Sequence, residues 1–399
     1  MSLRSDAAAL RPDLVALRRS LHRTPEIGLD LPRTQEKVLQ ALDGLGLEIS
    51  LGRDLSSVTA VLRGGGGSGG TVLLRGDMDA LPVTEASGEE FSSQIDGAMH
   101  ACGHDLHTAG LVGAAQLLVC RRDRLAGDVV FMFQPGEEGC DGAGYMIDEG
   151  VLTASGRQVD AAYGLHVSAS RHARGLFTCR PGPLMAASDA VKVRVVGAGG
   201  HGSAPEASRD PIPAACEMVT ALQTRMTRAF GAFEPVVLTV GSFHAGTRRN
   251  VIPDDAVFEA TVRSFDPEVR ERIRAQVVRV CEGIAAAHGL DVEITYDAEY
   301  PVLVNHDAGH DFIAGTVREV FGEERFQLLE DPMTGSEDFS RVLGKVPGAF
   351  VFLGASRSDD PASAPNNHSP RAAFDDSVLA DGATLLAELA CRQLAVLAA

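Results

Sequence analysis

Leucines at positions 10, 14, 17 and 21 recur at the spacing that lines one face of a helix. They predict an opening amphipathic helix over Asp6–Leu21, with Pro12 in its first turn. A second helix is expected over Arg33–Leu45, closed by Gly44 and Gly46. Apolar strands follow near 58–63 and 71–77, and the tract G-G-G-G-S-G-G between them reads as a mobile hairpin tip. No G-K-[ST] follows it, so it is not a phosphate loop. The chain then alternates: helix 105–120, with Leu111, Val112, Ala115, Leu118 and Val119 on one face, strand 128–133, helix 142–150 and strand 160–167. Alternation of this kind predicts an α/β layer.

From Ala190 the texture changes. Strand V-K-V-R-V-V, helix 210–230, strands V-V-L-T-V and A-V-F-E-A-T-V-R, helix 267–288 and strand D-V-E-I-T-Y follow in the β-α-β-β-α-β order of a ferredoxin-like unit. After Asp297 come helix 308–321, the loop D-P-M-T-G-S-E-D-F, strand A-F-V-F-L-G and a final helix 376–398. The expected architecture is an α/β catalytic domain (1–185 and 297–399) interrupted by an inserted α+β domain (186–296). At 399 residues the chain exceeds the roughly 250–300 at which one core stops growing, which agrees with two domains.

Charge removes some partners from consideration. The formal net charge is −18 and no dense Lys/Arg tract occurs, which points away from nucleic acid and anionic membranes. The N-terminal stretch lacks an apolar signal region, and no apolar run approaches the roughly 20 residues of a membrane span, so a cytoplasmic protein is expected. Seven scattered cysteines without C-x-x-C pairs suggest neither a disulfide framework nor a zinc ribbon.

One of these cysteines sits in chemically dense surroundings, M-H-A-C-G-H-D-L-H-T at 99–108. Cys102 and His104 stand two apart before a helix; in an extended segment they face the same way, half a site for a borderline-soft divalent metal. Glu137 and Glu138 follow an apolar strand in Q-P-G-E-E-G, at the strand end where α/β sheets carry ligands. Adjacent carboxylates on a turn repel unless a cation compensates them; the alternative is a solvated acidic turn. Asp77 and Asp79 close another strand and read equally as turn or cap residues. His166 lies within a strand, where a core histidine is the plain alternative, and His368 sits in a Pro-rich loop. Glu337 and Asp338 in G-S-E-D-F are site candidates or caps of the helix beginning there.

Together with L-H-R-T-P-E-I-G, G-D-M-D-A-L-P, G-L-H-V, G-G-H-G-S-A-P-E, N-V-I-P-D and N-H-S-P, these tracts run nearly end to end. They resemble the metallo-amidohydrolases that include hippurate hydrolase, N-acyl-amino-acid deacylases and indole-acetyl-amino-acid hydrolases. The resemblance implies a zinc-peptidase-like α/β/α catalytic domain with the inserted domain as lid and dimerisation unit. It implies two divalent ions per chain (zinc, manganese, nickel or cobalt) on Cys102, His104, Glu138, His166 and His368, with the Cys102 thiolate shared. Glu137 would be the general acid/base, Asp79 a carboxylate orienting a ligand histidine, and Asp77 no ligand. In the inserted domain, His201 would polarise the substrate carbonyl, and Asn250 and Arg263 would bind the amino-acid carboxylate. Read without the resemblance, His201 is a Gly-rich turn histidine and Arg263 a surface ion-pair partner. His22, His100, His107 and His172 are expected to be structural or supporting. The implied reaction is hydrolysis of the amide bond of N-acyl amino acids by a homodimer or higher homo-oligomer. A dipeptidase or carboxypeptidase is the alternative, and a catalytically silent metal-binding homologue the rival from another class.

Overall fold

The computed structural model describes residues 2–399, which fall into two compact units. The first comprises the chain up to Leu184 together with Val304–Asp331 and Asp338–Ala399; the second comprises Met185–Leu303 and Pro332–Glu337.

The first unit is built on an eight-stranded mixed sheet. Its centre is four parallel strands in the spatial order Gly127–Gln134, Gly70–Asp77, Ala161–Ser168 and Gly348–Gly354. These strands are almost wholly buried, the condition in which parallel sheets are stable. Being parallel, they deliver their C-terminal ends to one edge of the sheet, with Asp77 paired to Gln134 and Ser168 to Gly354. Helices Leu3–Arg23, His104–Val119 and Leu379–Leu397 pack against one another beside the sheet.

Two local expectations are corrected. The opening helix begins at Leu3, capped by Ser2, because Leu3 and Ala7 add buried positions ahead of the leucine stripe; Pro12 therefore stands in its interior, not its first turn. The glycine tract 64–70 is not a hairpin tip. Strand Gly127–Gln134 lies between the two strands it connects, so the tract is a crossover pressed onto the chain at 122–127. Gly65 and Gly66 donate backbone hydrogen bonds to Arg122 and Leu125, and a Cβ on Gly69 would fall 1.7 Å from the Ala126 carbonyl oxygen. Close approach, not mobility, is what these glycines provide.

Helix His104–Val119 carries two glycines with opposite demands. A methyl on Gly113 would meet Leu14 Cδ1 at 2.8 Å and Ala383 Cβ at 3.0 Å, so this glycine sets how closely three helices pack. Gly110 faces a small cavity that also touches Leu106, Leu165 and Leu386, and a methyl there meets nothing within 4 Å. Gly110→Ala is accordingly expected to stabilise the protein by about 0.5–1 kcal/mol through helix propensity, whereas Gly113→Ala destabilises it. Denaturant midpoints of the two variants moving in the same direction would contradict this.

The second unit is a four-stranded antiparallel sheet ordered Val236–Ala245, Asp255–Ser264, Ala187–Val196, Asp291–Tyr300, which is the ferredoxin-like arrangement. Helices Pro211–Ala229 and Pro267–His288 cover one face, burying Val191, Val193, Val195 and Phe258 against Met218, Leu222, Ile273 and Val277. Both helices start at an Asp-Pro pair, Asp210 accepting from Ile212 N and Asp266 from Glu268 N and Val269 N.

Candidate metal centre and active site

The strand ends of the first unit gather the chemistry. Past Asp77 the chain runs to Asp79, and past Gln134 it turns through Gly136 (φ 71°) into Glu137 and Glu138. His166 stands near the end of the third strand. Cys102 and His104 reach the same place by a route other than the extended segment expected. Gly103 is left-handed (φ 86°) and His104 is already the first residue of its helix. A side chain at Gly103 would strike Val167 Cγ2 at 2.5 Å, so the turn requires glycine.

Cys102 Sγ lies 3.3 Å from His166 Nε2 and 3.2 Å from His368 Nε2, and His368 Nε2 lies 3.1 Å from Glu138 Oε1. Among the described residues five groups of donor atoms lie within 4.8 Å of one another, and three of them consist only of these side chains: Cys102, His104 and His166; Cys102, Glu138 and His368; His104, Glu137 and Glu138. Cys102 belongs to two of them. The side chains singled out in the sequence as five ligands and one acid/base are thus brought together.

Hydrogen bonds set which ring nitrogens face this cluster. His104 Nδ1 donates to the Asp79 carbonyl oxygen (2.9 Å) and His166 Nδ1 to the Val167 carbonyl oxygen (2.7 Å), leaving both Nε2 atoms facing inward. The Asp79 carboxylate is 3.4 Å from His104 Nδ1 and accepts from Glu138 N (3.0 Å), so it holds the backbone of the acidic pair as well as standing beside the histidine. His104 Nε2 is buried without a hydrogen-bond partner, with Asp77 Oδ2 3.4 Å away.

The charge balance of the cluster calls for cations. Burial opposes charge on His104, but Asp77 and Cys102 outweigh it and hold the ring well above the usual imidazole range. Hydrogen bonds to Cys102 and Glu138 push His368 up to about 10. Burial, together with neighbouring His107, keeps His166 well below that range and neutral. A thiol, imidazoles and carboxylates gathered around the unpartnered His104 Nε2 suit a borderline divalent metal, and a bound ion would stand where these protons sit.

Arg75 and Gln134, which the sequence reading did not single out, join His107, which it expected to support the site. Fully buried Arg75 donates to Asp77 (2.6 Å), Gln134 (2.9 Å) and Asp338 (3.2 Å). Asp77 is committed to that pair and to His107 Nδ1 (2.5 Å), while Val167 N donates to His107 Nε2 (2.8 Å), which fixes His107 as a neutral bridge between two strand ends. Asp338 does not cap the short helix Ser340–Leu343; its carboxylate accepts from Gln134 Nε2 and Ala143 N. Glu337 belongs to the second unit. The signal for Arg75 was an arginine inside an otherwise apolar strand.

Behind the site, His22 is hydrogen-bonded to Asp105 (2.8 Å) and Glu85 (3.2 Å). Burial would raise Glu85, but hydrogen bonds from His22, Ser87 and Ser93 N outweigh it and bring it to about 2. Its contribution to stability is therefore present above about pH 4.5 and lost as the pH falls toward 2. The Tm advantage of wild type over Glu85→Gln is expected to shrink across that window; a constant difference would contradict the assignment.

In the second unit, His201 lies on a two-residue strand paired with Val251. Ser203 N and Ser203 Oγ both donate to His201 Nδ1 (3.2 and 2.7 Å), which leaves an Nε2–H donor exposed. Asn250 is adjacent, its carbonyl accepting from Gly202 N. Arg263 donates to Ser188 Oγ and Thr261 Oγ1 at the far end of strand Asp255–Ser264. Eight residues of strand, roughly 26 Å, separate it from the Asn250 end, so within this unit the two do not form one carboxylate site.

Among the described residues no helix is long and apolar enough to cross a membrane. A model of peptidase family M20/M25/M40 matches residues 73–392. Thermostable carboxypeptidase 2 of Saccharolobus solfataricus is 37% identical over 98% of each chain. N-acetyl-L-cysteine deacetylase of Bacillus subtilis is 36% identical over 97% of this chain and 89% of its own. The crystal structure of a Bacillus subtilis protein described as a dinuclear metal binding peptidase from the M20 family superposes with a TM-score of 0.81 at 32% identity, covering 97% of this chain and 99% of that one.

Proposed function

Since the chain belongs to peptidase family M20/M25/M40 and is a hydrolase of amide or peptide bonds, we propose that it removes the acyl group from N-acyl amino acids at a two-metal centre. The observation that carries this is the sharing of Cys102 Sγ between two donor groups, with the buried acid Glu137 beside them. Cys102, His104 and His166 would hold one divalent ion, and Cys102, Glu138 and His368 the other. The chemistry supplied by such a pair when bound is Lewis acidity, which lowers the pKa of water and polarises the scissile carbonyl.

The remaining work falls to side chains. Glu137 takes a proton from the attacking water and returns it to the leaving amine, which a carboxylate fully engaged as a ligand does poorly. Asp79 keeps the Glu137–Glu138 turn in place through Glu138 N. The exposed Nε2–H of His201 is a donor for the carbonyl oxygen, while Asn250 and, from a second copy of the chain, the planar fork of Arg263 are assigned to the substrate carboxylate.

The similarity to a carboxypeptidase at 37% identity favours a second reading, hydrolysis of short peptides by the same groups. A substrate panel decides between them. Acetyl-, benzoyl- and indole-acetyl-amino acids are expected to be cleaved with kcat/KM at least about tenfold above dipeptides with a free amine, a difference of about 1.4 kcal/mol in transition-state binding. The reverse order would establish the peptidase reading.

A further inference from the structure

Asn367, one residue before His368, makes contacts that no role yet described requires. Its Nδ2 donates to the Val167 carbonyl oxygen (3.1 Å) and to the Cys102 carbonyl oxygen (3.2 Å), and lies 3.8 Å from Cys102 Sγ. Its Oδ1 accepts from Ala169 N (2.9 Å). The partners fix the orientation of the amide, since a flipped group would set its NH2 against the Ala169 N–H. His368 itself is left-handed (φ 70°), an uncommon conformation for histidine, and its N–H donates to the Ala101 carbonyl oxygen (2.8 Å).

One amide therefore ties together three segments distant in the chain: the 101–102 turn, the end of strand Ala161–Ser168, and the loop bearing His368. The Val167 carbonyl that it holds is the same oxygen that accepts from His166 Nδ1 and so directs His166 Nε2 inward. The same nitrogen lies 3.8 Å from the sulfur that two donor groups share.

We propose that Asn367 is a positioning residue for the metal centre. Its side-chain amide sets the place of Cys102 Sγ between the two ion sites and keeps His166 aimed at one of them. The proposal rests on the two-metal reading above. Carboxamide is the suitable group because it offers donors to carbonyls and sulfur on one side and an acceptor to an amide on the other. Aspartate has the same shape but no donor, and would face the Val167 and Cys102 carbonyls and the sulfur with negative charge.

The test compares wild type, Asn367→Ala, Asn367→Asp and Cys102→Ser, each stripped of metal and titrated with cobalt(II) against a chromophoric chelator. The thiolate-to-cobalt absorption band and the Tm of the metal-free protein are recorded alongside. Both Asn367 variants are expected to bind cobalt about 10–100-fold more weakly, Asn367→Asp the more so, with a shifted or weakened thiolate band and a metal-free Tm close to wild type. Wild-type affinity and band in Asn367→Asp would overturn the proposal. So would a loss of affinity matched by an equal loss of metal-free stability in both variants, since Asn367 would then be a packing residue. If wild type and Cys102→Ser bind cobalt alike, the two-metal reading itself fails; if Cys102→Ser alone is impaired, only the role of Asn367 fails.

Discussion

Glu137→Gln is expected to leave the fold and the metal content unchanged while kcat falls by about 10²–10⁴-fold, the range associated with losing a positioned proton-transfer group. Glutamine preserves the shape of a side chain that is only 6% exposed, so packing around the turn should survive. It cannot accept a proton from water or return one to an amine. Glu138, which makes the 3.1 Å contact with His368 Nε2, is untouched, and the donor group with Cys102 remains complete. The measurement is kcat on an acetyl-amino acid, with metal per chain determined on the same sample. Near wild-type turnover in the fully loaded variant would remove Glu137 as the base; loss of metal in step with activity would make it a ligand instead.

Much of this site was legible in the sequence because its side chains belong to short tracts at the ends of apolar strands. Strand periodicity put Asp77, Glu137 and Glu138 at the ends of apolar strands and His166 within another before any distance was known, and the structure shows these strands to be parallel neighbours. The Cys102–His104 spacing marked half a metal site and His368 a candidate loop histidine, and the resemblance then joined them into one ligand set. What periodicity does not encode is backbone that leaves the regular regions. The left-handed Gly103 brings Cys102 and His104 together at a helix start, whereas an extended segment was the expectation. The glycine tract 64–70 lacked any local sign that a third strand would lie between its neighbours. Long-range polar partnerships were equally silent. Asp338 reads as a cap of the helix next to it, yet its partners are Arg75, Gln134 and Ala143, up to 263 residues away. Asn367 shows nothing in sequence beyond its proximity to His368. The inserted unit followed its predicted order closely because its strands alternate buried and exposed residues and its helices begin at Asp-Pro.

The second large effect is expected from Cys102→Ser. Serine is nearly isosteric, but its hydroxyl does not ionise at neutral pH and is a poor partner for borderline-soft ions. Since Sγ lies 3.3 Å from His166 Nε2 and 3.2 Å from His368 Nε2, one substitution removes a donor from both groups at once. His166→Asn should mainly impair the group it shares with His104, and Glu138→Gln mainly the group it shares with His368. Cys102→Ser is therefore expected to weaken both ions by more than the 10–100-fold typical of losing a supporting contact, and to abolish turnover at ordinary metal concentrations. The metal-free variant should not lose stability comparably, because the replacement is nearly isosteric and the aliphatic neighbours of the turn, Ala101 and Val167, remain buried. Equilibrium dialysis against a chelator, followed by metal analysis of the three variants, gives the pattern directly. Loss of one ion from Cys102→Ser with the other retained at wild-type affinity would show that the sulfur serves a single site, and the shared-thiolate arrangement would have to be abandoned.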